Sequence, residues 1–73
     1  MIFSEVSGTI SEILVSNNQI VDHDNTLVVI ECMKMLIPIN AKKKGKIIKI
    51  FVNEGDVINE GDKILDISYI WEF

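Results

Sequence analysis

The sequence contains no arginine, one histidine, one cysteine, one proline and four glycines among its 73 residues. Without arginine there is no guanidinium to clamp phosphate in bidentate fashion. The formal charge of −4 also opposes nucleic-acid binding, which draws on a positive field. A lone cysteine excludes an internal disulfide framework and fits a reducing compartment, so a cytoplasmic location is expected. No apolar run approaches the roughly 18 residues of a membrane-spanning helix. The first residues, Met1-Ile2-Phe3-Ser4-Glu5, lack the basic and apolar regions of a signal peptide. Sustained helical spacing with caps is missing. There is no supported Ser/His/Asp or Cys/His arrangement and no glycine-rich phosphate loop, so independent catalysis is not expected.

What the chain does have is β-branched Ile and Val in short runs, which favours a strand-built core over disorder. A chain of this size forms one domain at most, and domains near 60 residues bury only about 60% of their unfolded surface.

The sequence repeats at a constant offset of 37 residues between about 8–30 and 45–67. Gly8 meets Gly45, Ile10 meets Ile47, Ile13 meets Ile50 and Val15 meets Val52. Ile20 meets Val57, Val21 meets Ile58, Leu27 meets Ile64 and Ile30 meets Ile67, with no gap. Two repeats are too few for a solenoid, which needs about three. The halves are expected to pack as a pseudo-twofold pair. Thr9–Val15 and Lys46–Val52 each begin with alternation and end in an apolar run, as half-buried strands do. Turn signals follow at Asn17-Asn18, Glu54-Gly55-Asp56 and Glu60-Gly61-Asp62. Gly8, Gly45, Gly55 and Gly61 are read as turn glycines. The fold class is therefore all-β, with six to eight short strands in a flattened barrel or sandwich. Propensity reads Leu27–Ile39 as one long strand, because no Gly, Asn or Asp interrupts it. Pro38 belongs on an edge strand, or with its nitrogen turned outward.

Mid-chain stands Glu31-Cys32-Met33-Lys34-Met35, followed by Ile37-Pro38-Ile39 and Ala41-Lys42-Lys43-Lys44-Gly45-Lys46-Ile47. Together with Val52–Asp62 in the second half, this pattern resembles the biotinyl branch of the biotinyl/lipoyl attachment domain family. The resemblance runs from about Ser4 to Ser68. It implies a flattened barrel of two four-stranded antiparallel sheets, with the attachment lysine on a hairpin tip. It also implies biotin joined covalently to Lys34, with Glu31, Cys32, Met33 and Met35 forming the hairpin that a biotin protein ligase reads. The carrier would then serve a biotin carboxylase and a carboxyltransferase without being an enzyme itself. No insertion fits between Ile10 and Val15, so the chain resembles the thumbless, free-standing kind, a single domain over 1–73 that is monomeric when isolated.

Some positions depart from the family pattern. Cys32 stands where Ala is common. Asn18 stands opposite Gly55 and Asp24 opposite Gly61, and both residue types tolerate positive φ. Lipoyl domains usually present Asp-Lys-Ala at the hairpin, which Met33-Lys34-Met35 does not match. A lipoyl or dual carrier and an unmodified interaction module remain as alternatives.

Other residues carry two readings each. Lys34 is either the attachment site or a plain surface lysine. Met33 and Met35 either mark that site or fill core, and Glu31 either belongs to the site or is a solvated strand residue. Cys32 is either a small apolar filler or a redox-sensitive thiol. His23, among Asp22, Asp24 and Asn25, belongs to a solvated loop or, with less support, a metal site, and no metal is expected. Lys42–Lys46 is either a solvated turn or a docking patch for an acidic partner. The aromatic tail 69–73 either packs on the barrel edge or docks a partner.

Overall fold

The computed structural model describes residues 1–70. Eight strands follow one another: β1 (Ile2–Phe3), β2 (Gly8–Ile13), β3 (Ile20–Val21), β4 (Thr26–Cys32), β5 (Met35–Asn40), β6 (Gly45–Ile50), β7 (Val57–Ile58) and β8 (Lys63–Tyr69). They form two four-stranded sheets, ordered β1-β8-β6-β3 and β5-β4-β2-β7. Every pairing is antiparallel. Among the described residues there is no helix.

The 37-residue repeat is reproduced strand by strand. Adding 37 to β2, β3 and β4 gives β6, β7 and β8. The registers repeat as well. Ile10 faces Ile30 as Ile47 faces Ile67, and Ile13 faces Val28 as Ile50 faces Leu65. The same irregularity separates Ile10 from Glu12 and Ile47 from Lys49. Even the loops correspond. Gly55 donates its N–H to the Ile10 carbonyl at 2.8 Å, and Asn18 donates to the Ile47 carbonyl at 2.7 Å. The Asp62 carboxylate accepts from the Asn59 N–H at 2.8 Å, as the Asn25 side-chain oxygen does from Asp22 at 2.8 Å.

Both substituted turn positions take the conformation that glycine takes in the other half. Asn18 has φ 70° opposite Gly55 at 93°, and Asp24 has φ 67° opposite Gly61 at 92°. Their short polar side chains make the left-handed region tolerable. Gly8 and Gly45 correct the sequence reading: they begin β2 and β6 and occupy no turn. A Cβ on Gly8 would lie 2.3 Å from the Glu31 carbonyl oxygen, and one on Gly45 would lie 2.8 Å from that of Ser68. Close strand approach, not φ, requires glycine there.

The inward residues of both sheets meet in one core. Ile10, Leu27, Ile30, Ile47, Ile64 and Leu65 are essentially inaccessible, and Val15, Val21, Val52 and Ile58 surround them. Ile20 and Val57, matched in sequence, are both exposed, because their strands are two-residue edge strands with one inward position each. Tyr69 ends β8, and the Ile70 N–H donates to the Lys44 carbonyl at 2.9 Å. The rest of the aromatic tail, 71–73, lies outside the described residues.

Candidate functional site

The long strand that propensity reads over Leu27–Ile39 is two strands, joined by the hairpin that the family resemblance implies at Lys34. The chain reverses at Met33-Lys34, and Cys32 pairs with Met35 across the turn. Met33 has φ 52° and Lys34 φ 64°. A two-residue hairpin loop with positive φ at both positions is the type I′ turn, whose twist matches that of the flanking strands. That turn ordinarily takes Asn-Gly. For residues with a Cβ, the left-handed region costs about 1 kcal/mol or more each. The ladder below the turn holds it in place, with Glu31 facing Leu36, Ile30 facing Ile37, Val29 facing Pro38 and Val28 facing Ile39. This is why local propensity misses the turn.

Pro38 fits its place. β5 is an edge strand. Starting from the pair that closes the two-residue loop, Met35, Ile37 and Ile39 are the bonded positions of β5, and Leu36 and Pro38 face away. The missing N–H of Pro38 therefore leaves the ladder intact, and on the open edge it removes a donor that another strand could use.

The turn carries its side chains into solvent. Met33 is 90% exposed and Met35 66%, which rules out core filling for both. Lys34 is exposed, and among the described residues no ion pair involves it. Glu31 is exposed and Cys32 half-buried, on successive and therefore opposite faces of β4. Leu36, directly across from Glu31, is 63% exposed. Lys34 is thus a primary amine at the end of a rigid two-strand projection, flanked by flexible thioether side chains that suit contact with several partner surfaces. Such an amine can form an amide with a carboxylic acid cofactor, so the donor chemistry fits a covalently held biotin or lipoate.

Two features escaped sequence reasoning. A groove of about 410 Å³ runs between the open edges of β1 and β5, with Ile2, Val6, Ile37 and Ile39 in its lining. Phe51 lies beneath two ammonium groups, Lys49 Nζ at 5.3 Å and Lys63 Nζ at 5.9 Å from its ring centre. The groove and the Lys63 contact join different strands and leave no local signal; the Lys49–Phe51 pair, two residues apart, is local. His23 Nδ1 lies 3.1 Å from Asp24 on an exposed loop. Among the described residues no group of three metal-capable side chains assembles.

Known proteins share this arrangement. The family model described as "Biotin-requiring enzyme", covering biotin/lipoyl domains, matches residues 4–67. A urea amidolyase of Lachancea kluyveri is 38% identical over 64 residues, spanning 88% of this chain and 4% of that protein. The "biotinylated protein TB7.3 homolog" of Mycobacterium leprae is 38% identical over 65 residues, spanning 89% of this chain and 92% of that one. Among solved structures, a single-chain, multi-domain long-chain acyl-CoA carboxylase superposes with a TM-score of 0.90 at 25% identity. That match covers 94% of this chain and 7% of the carboxylase. The lipoyl domain of the 2-oxoglutarate dehydrogenase complex from Azotobacter vinelandii gives 0.78 at 27% identity, covering 86% of this chain and 80% of the domain. The matched segment, the paired sheets and the lysine at the hairpin turn converge: this chain belongs to the biotin/lipoyl attachment domain family.

Proposed function

We propose that the domain is a biotin carboxyl carrier, loaded on Lys34 by a biotin protein ligase, which serves a biotin carboxylase and a carboxyltransferase. The observation that carries this reading is Lys34 itself, exposed between two exposed methionines at a strained two-residue turn. In loading, the neutral Lys34 amine attacks the acyl carbon of biotinyl-adenylate. An amide forms, AMP leaves, and the amine gives up a proton that the ligase accepts. Bound biotin supplies a ureido nitrogen that takes up a carboxyl group and gives it up again. The chain's own residues supply placement. The β4–β5 ladder fixes the direction of the tether, and the slim hairpin tip enters two different active sites in turn. Tethering raises the local concentration at each site.

The biotinylated relative and the carboxylase likenesses support this choice of cofactor. The lipoyl alternative draws on the likeness to the A. vinelandii domain, but Met33 and Met35 do not match the usual lipoyl flanks. A biotin ligase and a lipoate ligase, tested side by side and read by intact mass with peptide mapping, decide between them. Biotin is expected on Lys34, and Lys34→Arg is expected to fold normally and stay unlabelled. Lipoate addition without biotin addition sinks the reading.

A further inference from the structure

The two halves share one backbone, but their lysines are not shared between them. Six of the seven lysines lie on β6, on β8 or on the turn leading into β6. Lys46, Lys49 and Lys63 correspond, across the 37-residue offset, to Thr9, Glu12 and Thr26. Lys42, Lys43 and Lys44 correspond to Glu5, Val6 and Ser7. The backbone does not call for lysine at any of these places. The Ala41 N–H donates to the Asn25 carbonyl at 2.8 Å, as the Ser4 N–H does to that of Asp62 at 2.8 Å. Lys46 pairs with Ser68 and Ile20 where Thr9 pairs with Glu31 and Val57. The same framework is therefore built without the cations, and gathering like charges on it is unfavourable by itself.

We infer that the outer face of the β1-β8-β6-β3 sheet, with the turn before β6, is a docking face for an acidic protein surface. All six lysines are exposed. Among the described residues, Lys42, Lys43, Lys46, Lys49 and Lys63 have no ion-pair partner. Asp66, the one acid on β8, has its carboxylate 3.5 Å from the Met1 nitrogen. Asp22 and Asp24 border the patch at the loop bonded to Ala41. Aromatic rings are set among the cations: Phe51 under Lys49 and Lys63, and Tyr69 with Lys43 Nζ 5.9 Å from its ring centre. Phe51 is 41% exposed and Tyr69 39%, so the face offers apolar contact along with charge, as docking surfaces do. The occupant is a protein because the chain as a whole is anionic, at −4, and lacks arginine. A polyanion tracking past the face would meet Asp56 and Asp62, which line a cleft with Phe51 and Lys63, and then Glu12 and Glu31 on the other sheet. A partner held here leaves the β4–β5 hairpin uncovered, since Lys34 belongs to the other sheet. The inference stands independently of which cofactor Lys34 takes.

The test uses the full chain, isotope-labelled, titrated with an oligoglutamate peptide. A single-stranded DNA oligomer and phosphatidylglycerol vesicles serve as comparison probes. Backbone shifts are expected on β6, β8 and the 42–46 turn, with β2 and β4 unmoved. Affinity for the peptide is expected to fall about tenfold or more between low and roughly 300 mM salt, as screening of exposed charges requires. The triple variant Lys46→Gln, Lys49→Gln, Lys63→Gln should lose a similar factor while keeping its melting temperature. Lys34→Gln should bind as the parent does. Shifts spread evenly over both sheets, unaltered binding by the triple variant, or tighter binding of DNA or vesicles than of peptide would each overturn the proposal.

Discussion

Glycine is used in two physically different ways in this chain, and substitution separates them. Gly55 has φ 93°, and a Cβ placed on it would meet nothing within 4 Å, so its constraint is purely one of backbone conformation. Gly55→Val should lower stability by roughly 1–3 kcal/mol, measured by urea unfolding. Gly55→Asn should cost less, because Asn18 already takes this conformation in the other half. Gly8 has no such φ, but a Cβ there would meet a carbonyl oxygen at 2.3 Å. Gly8→Ala should therefore cost roughly 1–3 kcal/mol by forcing the strands apart, although alanine is conformationally harmless. An unchanged unfolding midpoint for Gly8→Ala would mean that β2 and β4 separate without resistance. The turn role of Gly55 and Gly61 was legible in the sequence from their Asp and Glu neighbours. The role of Gly8 was not, because the oxygen it accommodates belongs to Glu31, on a different strand.

At the scale of elements, the β4–β5 hairpin holds a conformational conflict. Its ladder favours a two-residue type I′ turn, while Met33 and Lys34 disfavour the conformation. Replacing them with the preferred pair, Met33→Asn with Lys34→Gly, should raise stability by about 1–2 kcal/mol. The same change should eliminate loading, because it removes the Lys34 amine. Calorimetry and a ligase assay on the double variant check both halves of the expectation. A destabilised variant would show that the turn is not strained. The strands themselves were readable from period-two patterning, as was the edge position of Pro38 from its missing donor. The break inside Leu27–Ile39 was not readable from propensity, because residues 36–39 override residues 33–34 by pairing with 28–31.

At the scale of the whole molecule, one core serves both halves. Ile10 and Ile47 are equivalent by the repeat and both fully buried, and neither half has a core of its own. Ile47→Ala should therefore cost about 2–5 kcal/mol and unfold the entire domain in one transition. Hydrogen exchange should show β2 and β4 losing protection together with β6 and β8. Surviving protection in the first half alone would contradict a shared core. The sequence by itself determined the strand-rich class, the internal duplication and the apolar positions that form the core, and it singled out Lys34 as the candidate attachment site. Each of these is written in spacing or residue type along one segment. Only the tertiary structure decided why Gly8 and Gly45 must be glycine, and that Lys63 on β8 joins the lysines of 42–49. Those depend on contacts between strands far apart in the chain, and such contacts leave no local trace until the two halves close on each other.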